Sequence, residues 1–206
     1  MVDHLDPYRA ALVAVADAAR GSARTQLGTE LPTVRIRVVP TSPGAEVLAA
    51  VPPETVHLAV SDPRQLRPPP AGGNTIYGVC HEIGHLVLAR VLPPGRQLPV
   101  VWDEAFAHLL AVEILLPAVW AAHGPQLWPD PYPDYLTREL DLPEEPDGLL
   151  HGSIATLERT TGHLRDIAAG IGVAGLLATL RSLGPRQLRI EELARALQRA
   201  SADDRS

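Results

Sequence analysis

The sequence predicts an α+β fold: a small antiparallel or mixed sheet packed on a scaffold of two long helices, with a helical part at the C-terminus. Three short runs, at residues 33–39, 45–51 and 55–60, predict the strands. The first run alternates apolar with charged side chains, which is typical of a strand with one buried face. The connections between the runs are too short to hold crossover helices, so we expect antiparallel pairing.

Helical periodicity appears on both sides of the strands. Residues 5–20 have an amphipathic pattern that we expect to end at Gly21, and residues 76–92 and 100–123 provide the two scaffold helices. We expect Pro117 to kink the second scaffold helix, which a glycine then ends. Two or three C-terminal helices are predicted, at residues 148–160, 163–183 and 189–200.

These elements divide the chain into a first domain, residues 1–147, and a C-terminal helical subdomain, residues 148–206, that completes a cleft. The last part of the first domain, residues 117–147, holds seven prolines together with several aromatic side chains. Connections of this length are usually either functional or disordered. The aromatic side chains favour an ordered wall of a cleft, and a surface linker is the alternative.

The composition excludes several classes of chemistry. The 206 residues include 18 arginines and no lysine, which excludes a Schiff-base lysine and a Walker A phosphate loop. A single cysteine, Cys80, excludes an intrachain disulfide and any metal site built from several cysteines. The chemistry must therefore come from histidine, carboxylate, hydroxyl and arginine side chains, with a bound ion.

Charge and hydropathy indicate which kinds of partner and which cellular location we expect for the protein. The net charge of −6 argues against broad affinity for nucleic acid, which depends on neutralising phosphates. The N-terminal segment lacks the positive charge of a signal peptide, and its apolar run breaks at Asp17. No run reaches 18 consecutive apolar residues. We therefore expect a cytoplasmic protein without nucleic-acid or membrane partners, and the pattern indicates no particular oligomeric state.

Two histidines four residues apart begin a candidate metal site. They frame the string His81-Glu82-Ile83-Gly84-His85, and on a helix this spacing puts both imidazoles on one face, where they can bind one ion. Glu82 lies about 100° around the helix from His81, beside such an ion. There its carboxylate can act as a base on a water molecule.

Glu104 supplies a third candidate ligand. It lies 19 positions after His85, an interval that fits the end of one scaffold helix, a turn and the start of the other. Ala107 and Ala111 follow on the same helical face, and such small side chains let two helices approach closely. Two histidines and one glutamate with an open fourth position form the arrangement of catalytic zinc sites. The same three donors also form the facial triad of non-haem Fe(II) enzymes, so Fe²⁺ is the alternative ion.

Three neighbours of the candidate ligands have more than one possible role. Asp103 either orients a ligand histidine or is an acidic residue favoured at a helix N-terminus. His108 lies one turn after Glu104 and is a partner of a ligand, an additional ligand or a hydrogen-bonded histidine without a role. Gly84 is unfavourable in a plain helix and indicates either a close backbone approach or a loosely packed helix.

Residues 74–117 resemble the gluzincins, metallopeptidases in which the pattern HExxH is followed downstream by a ligand glutamate. The segments NTIYGVCHEIGHLVL and EAFAHLLAVEILLP are similar to those of the ImmA/IrrE metallopeptidases. The string WDEAFA and the interval before Glu104 look like those of aminopeptidase-N-like enzymes. His108 and Leu110 depart from the ImmA/IrrE pattern, and the exopeptidase motif of the aminopeptidases is missing. The resemblance therefore carries over the metal site but no particular substrate.

The resemblance implies a zincin-like metallopeptidase domain that hydrolyses peptide (amide) bonds in a peptide or protein substrate. His81, His85 and Glu104 would hold Zn²⁺, and Glu82 would be the general base that takes a proton from water. In gluzincins, a histidine or tyrosine from the C-terminal region typically stabilises the oxyanion. We select His151 for this catalytic role; the other candidates are His163, Tyr132 and Tyr135.

Two other functions stay open. A metal-dependent enzyme with non-haem iron on the same scaffold could modify a peptide or a natural product, although an oxygenase needs no base such as Glu82. A non-catalytic regulator could use a structural ion and bind a partner through its C-terminal helices, but the open fourth ligand position argues against it. For the leading function, we expect the strand at residues 55–60 to form a sheet edge that pairs with an extended peptide.

Overall fold

Helices form most of the protein in the computed structural model, which describes residues 6–40, 48–51, 55–60, 73–127, 151–184 and 190–203. The α-helices are α1 (Asp6–Leu27), α2 (Gly73–Val91), α3 (Val100–Leu110), α4 (Leu116–Leu127), α5 (His151–Ser182) and α6 (Ile190–Asp203). The strands are short: β1 (Arg35–Pro40), β2 (Leu48–Val51) and β3 (Thr55–Val60). The prediction of an α+β fold is therefore wrong, because the protein is mostly helical.

The fold prediction was wrong about which elements pack against the two scaffold helices. We expected a sheet against them, whereas α1 packs against α2 and α4, and α5 packs against α3. Most of the buried apolar side chains of the described residues lie on helices, among them Leu12, Val15, Ile76, Ile83, Phe106, Leu109, Leu164 and Leu176. Hydrophobic periodicity identifies an apolar face but not the neighbour that buries it, so it overstated the share of the sheet.

The three strands form a mixed sheet in the order β1-β3-β2. β1 pairs with β3 in parallel and β2 pairs with β3 antiparallel, so the expected antiparallel pairing holds for only one of the two pairs. At the start of β1, Arg35 is exposed whereas Ile36 and the preceding Val34 are buried, which agrees with the predicted alternation at these positions. β3 is the central strand, so the expectation that it forms a sheet edge is wrong; β1 and β2 are the edges, and β2 packs along α2.

Helix α1 extends beyond its predicted end. It passes through Gly21 and ends at Leu27, where Gly28 adopts a positive φ of 60°. The backbone N–H of Thr29 then donates to the carbonyl of Ala23 at 3.1 Å. A helix stops where a residue takes the left-handed conformation, and Gly28 rather than Gly21 takes it here.

Helix α3 continues into α4 through a π-helical turn, Ala111–Leu115. In this turn, the N–H of Leu116 donates to the carbonyl of Ala111, five residues earlier. Pro117 has no N–H and would crowd the carbonyl four residues before it, so the wider turn accommodates the proline without ending the helix. The helix also passes the predicted stop at Gly124.

Helix α5 joins two of the predicted C-terminal helices into one segment. The predicted gap between residues 160 and 163 is helical, and the break lies at Gly172, whose φ of 73° and ψ of 163° are not helical. Its C-terminal end is tied to α1, because Arg181 donates to the carbonyl of Leu27 at 3.3 Å and to Oγ1 of Thr29 at 2.9 Å.

Two helical stretches of the described chain are long and apolar enough to cross a membrane, Val100–Gly124 and Thr156–Ser182. Length and composition alone also select the core helices of soluble proteins. The most apolar window is 56% buried inside the protein in Val100–Gly124 and 28% buried in Thr156–Ser182.

Candidate metal centre

The candidate centre lies between α2 and α3, which run antiparallel and in close contact. A Cβ placed on Gly84 would lie 2.8 Å from the carbonyl oxygen of Ala107 and 3.0 Å from its Cα. Real Cβ atoms do not approach backbone this closely, so only glycine fits at this position. The close-approach interpretation of Gly84 is confirmed, and it explains why small residues occur where the two helices meet.

The structure brings His81, His85 and Glu104 together. Nε2 of His81 lies 3.1 Å from Oε2 of Glu104 and 3.2 Å from Nε2 of His85, and Nε2 of His85 lies 3.6 Å from Oε1 of Glu104. One potential ligand atom from each residue falls within 4.8 Å of the others. Both histidine side chains are mostly buried, whereas the carboxylate of Glu104 remains 41% exposed.

These separations fit tetrahedral coordination of zinc. Ligand atoms about 2.0–2.1 Å from a tetrahedral ion lie about 3.3 Å from one another. The separations of His81 Nε2 from Glu104 Oε2 and from His85 Nε2, 3.1 and 3.2 Å, are close to this value, whereas the 3.6 Å separation joins His85 to the other carboxylate oxygen, Oε1. The donor types, two imidazole nitrogens and one carboxylate oxygen, also match those that zinc takes in catalytic sites.

Protons and a cation compete for the same atoms of this cluster. A proton on Nε2 of His81 can be donated to Glu104, but it then occupies the lone pair that a cation would take. Hydrogen bonds from His81 and His85 hold the pKa of Glu104 well below its usual range, so its carboxylate is charged and suited to bind a cation.

Asp103 accepts a hydrogen bond from the second ring nitrogen of His85. Nδ1 of His85 donates to Oδ2 of Asp103 at 2.7 Å, which leaves Nε2 directed at the cluster. Burial lowers the pKa of His85, but hydrogen bonds to Asp103 and Glu104 outweigh burial and raise it to about 10. Of the two roles considered for Asp103, the structure favours orientation of a ligand histidine.

Beside His81, the hydroxyl of Tyr77 lies between the ring nitrogens of two histidines, His81 and His108. The hydroxyl of Tyr77 lies 3.3 Å from Nδ1 of His81 and 2.8 Å from Nδ1 of His108. His108 is buried, and burial, with Arg165 and His81 nearby, lowers its pKa to about 4. Its ring is therefore neutral at pH 7.

The sequence interpretation missed Tyr77. The signal that could have identified it is helical spacing, because residue 77 lies one turn before His81 on the face that carries both histidines. His108, one of whose predicted roles is partner of a ligand, lies one turn after Glu104 on α3 and contacts Tyr77.

Glu82, the predicted general base, is buried on α2 next to His81. Its charge is close enough to Tyr77 to contribute to the raised pKa of that hydroxyl, after burial and Glu104. Cys80, on the other side of His81, is fully buried, and burial raises the pKa of its thiol, as expected for a small apolar core residue.

The candidates for the oxyanion-stabilising role are only partly described. His151 begins α5, but its side chain lies outside the described residues, and so do Tyr132 and Tyr135. His163 is half-buried on α5, with its ring 6.4 Å from that of Trp102 in an edge-to-face arrangement. Trp102 immediately precedes Asp103, so α5 reaches the segment that carries the third candidate ligand.

Comparison with models of protein families, with curated proteins and with solved structures finds no match to this chain. The resemblance to gluzincins therefore stays a prediction from the motif and its spacing.

Proposed function

We propose that this protein is a zinc-dependent metallopeptidase that hydrolyses peptide bonds. In this proposal His81, His85 and Glu104 hold the ion and Glu82 is the general base. The single observation that carries it is the convergence of two imidazole nitrogens and a carboxylate, with one potential ligand atom from each residue within 4.8 Å of the others. A buried carboxylate directly beside the first ligand supports hydrolysis rather than a purely structural site.

The side chains of the centre divide the chemical tasks. When bound, zinc lowers the pKa of a coordinated water to about 7 and polarises a carbonyl group. Glu82, held on the helix beside His81, accepts a proton from the attacking water and later delivers it to the leaving amine. Asp103 keeps Nε2 of His85 directed at the ion through its hydrogen bond to Nδ1.

In this proposal the substrate is a peptide or a protein. The enzyme acts in the cytoplasm and has no nucleic-acid or membrane partner. An extended peptide would pair with a sheet edge, and β2 is the edge that packs along the helix of the two histidines. The oxyanion would be stabilised from α5, by His151 or His163, because this helix packs against α3.

The test compares the wild type with Glu82→Gln and with the control Glu158→Gln, which alters an exposed glutamate of α5. We expect about one zinc per chain in all three proteins by elemental analysis. Cleavage of a diverse peptide library, followed by mass spectrometry, should fall about 10²–10⁴-fold in Glu82→Gln only, since general-base catalysis contributes this much. Wild-type protein that binds zinc but cleaves no peptide would contradict the proposal, as would full activity of Glu82→Gln.

The same three metal-binding side chains also suit a second candidate function, that of a non-haem iron enzyme that modifies a peptide or a natural product. Iron rather than zinc in the purified protein, together with oxygen-dependent turnover that survives Glu82→Gln, would favour this candidate. A bound ion without turnover of either kind would favour a metal-stabilised regulator.

A further inference from the structure

We propose that Tyr77 and His108 form a hydrogen-bonded relay that receives the Nδ1 proton of His81 and thereby keeps Nε2 of His81 free for a metal. In the relay, Nδ1–H of His81 donates to the hydroxyl oxygen of Tyr77, and that hydroxyl donates to Nδ1 of His108. The relay rests on the metal site of the proposed function. Tyr77 and His108 are positioning residues in it, because they act through His81.

Two consecutive contacts connect His81 of the cluster to Tyr77 and Tyr77 to the buried His108. The Tyr77 hydroxyl is within hydrogen-bonding distance of both imidazoles, 3.3 Å from Nδ1 of His81 and 2.8 Å from Nδ1 of His108. Tyr77 and His81 lie one turn apart on α2, whereas His108 lies on α3. The relay therefore crosses the contact between the two helices that carry the candidate ligands.

The direction of the relay follows from the number of protons available. A tyrosine hydroxyl has one proton to donate, and a neutral imidazole has one N–H and one acceptor nitrogen. If Nε2 of His81 binds an ion, its proton must be on Nδ1, which can then only donate to Tyr77. The hydroxyl proton is left for Nδ1 of His108, whose own proton is then on Nε2.

The opposite direction would block the site. If Nδ1 of His108 carried the proton and donated to Tyr77, the hydroxyl would donate to Nδ1 of His81. The proton of His81 would then lie on Nε2, directed at Glu104 rather than available for exchange with an ion. The tautomer of the buried ring of His108 therefore sets the binding state of His81.

Each ligand histidine thus has its own partner for the ring nitrogen that faces away from the cluster. For His85 this partner is the carboxylate of Asp103, and for His81 it is a neutral tyrosine backed by a neutral histidine. A carboxylate makes the ligand that it holds more basic than a neutral partner does. The relay therefore orients His81 without adding a second negative charge beside the cluster.

The experiment uses the full chain and zinc alone as the probe. We compare zinc dissociation constants of the wild type, Tyr77→Phe, His108→Leu and His108→Asn; the matched control His123→Leu alters a half-buried histidine of α4. Loss of such a partner typically costs 10–100-fold in metal affinity, and we expect this loss in Tyr77→Phe and His108→Leu. His108→Asn should recover most of the affinity, because its amide oxygen can accept from Tyr77 near the place of Nδ1. The control should bind zinc like the wild type.

Imidazole ¹⁵N spectra separate orientation from a merely structural role. In the zinc-loaded wild type we expect an Nδ1–H resonance of His81 that exchanges slowly with water, and the Nε2–H tautomer of His108. In Tyr77→Phe, the His81 proton should exchange faster while the metal-free protein melts at a similar temperature.

Three outcomes are distinguishable. Unchanged zinc affinity and an unchanged His81 resonance in Tyr77→Phe would overturn the relay and leave the peptidase proposal intact. Zinc binding without hydrolysis would overturn the peptidase and leave the relay intact. A wild type that binds no zinc would overturn both.

Discussion

The two candidate ligand histidines differ in the chemistry of their partners. Nδ1 of His85 is bound to a carboxylate at 2.7 Å, whereas Nδ1 of His81 faces a tyrosine hydroxyl at 3.3 Å. The first contact is charge-assisted and short, which is typical of stronger hydrogen bonds. Hydrogen bonds to Asp103 and Glu104 raise the pKa of His85 to about 10, so we expect this ring to hold a proton at pH 7 in the absence of a metal.

A substitution of Asp103 tests this difference. In metal-free Asp103→Asn, the pKa of His85 should fall from about 10 toward its unperturbed value of about 6.5, because the neutral amide no longer favours the charged ring. An NMR titration of the ring measures this fall. Asp166→Asn, which alters an exposed aspartate of α5, is the control and should leave the pKa unchanged.

The same pKa shift predicts a pH dependence of stability. His85 has a higher pKa in the folded than in the unfolded chain, so its proton stabilises the metal-free protein fully below about pH 6.5. This contribution is lost as the pH rises through about 10. Denaturation at pH 6.5 and pH 10 should therefore show a smaller loss of stability in Asp103→Asn than in the wild type. An equal loss in both proteins would contradict the assignment to Asp103.

At the scale of elements, the site depends on how closely α2 and α3 approach. The backbone contact between Gly84 and Ala107 brings the two helices near enough for short side chains such as that of Asp103 to reach across. The π-helical turn that follows α3 lets this helix continue into α4 in spite of Pro117. In the same turn, the carbonyl of Ile114 accepts a hydrogen bond from Ser22 of α1 at 3.3 Å, which ties the long helix to α1.

Substitution of Gly84 by alanine tests the helix contact. The new Cβ would meet the backbone of Ala107, so the helices must separate, and we expect a loss of about 1–3 kcal/mol in the free energy of unfolding. Zinc affinity should fall with it. Gly21→Ala is the matched control: it lies inside α1 with no heavy atom within 4 Å of the new Cβ, and we expect a gain of about 0.5–1 kcal/mol. Chemical denaturation measures both, and equal effects would show that the contact is unimportant.

At the scale of the whole molecule, other helices support the two helices that carry the candidate site. α1 supports α2 and α4, α5 lies against α3, and Arg181 ties the end of α5 to the end of α1. Glu113 of the π-helical turn also pairs with Arg165 of α5 at 3.3 Å, although both side chains are about half exposed and such pairs contribute little to stability. An ion held between α2 and α3 would therefore stabilise a large part of the fold.

This arrangement predicts that zinc raises the melting temperature. Zinc at about 1,000 times its dissociation constant should add about 4 kcal/mol, since it binds the folded chain in preference to the unfolded one. For a chain of this size, the gain corresponds to a rise of about 10 °C in calorimetry or fluorescence. A chelator should reverse the rise, and His85→Ala should show little of it. A rise of equal size in His85→Ala would place the ion elsewhere.

The local elements were predictable because they depend on residues close in the chain. The scaffold helix predicted at residues 76–92 ends one residue after α2 does, at Val91. The strand predicted at residues 55–60 matches β3. The spacing of His81, His85 and Glu104 also predicted the convergence that the structure contains. Helix ends were less predictable, since Gly21 and Gly124 lie within helices that their packing extends.

By itself the sequence predicted most of the helices and strands and the residues of the candidate centre, because periodicity and i, i+4 spacing are local properties. Only the tertiary structure decided that the fold is mostly helical and that β3 is central. It also decided that Tyr77 contacts His108, 31 residues away in the chain. These features depend on which apolar faces bury one another, and that choice is made by the packing of distant segments rather than by any one of them.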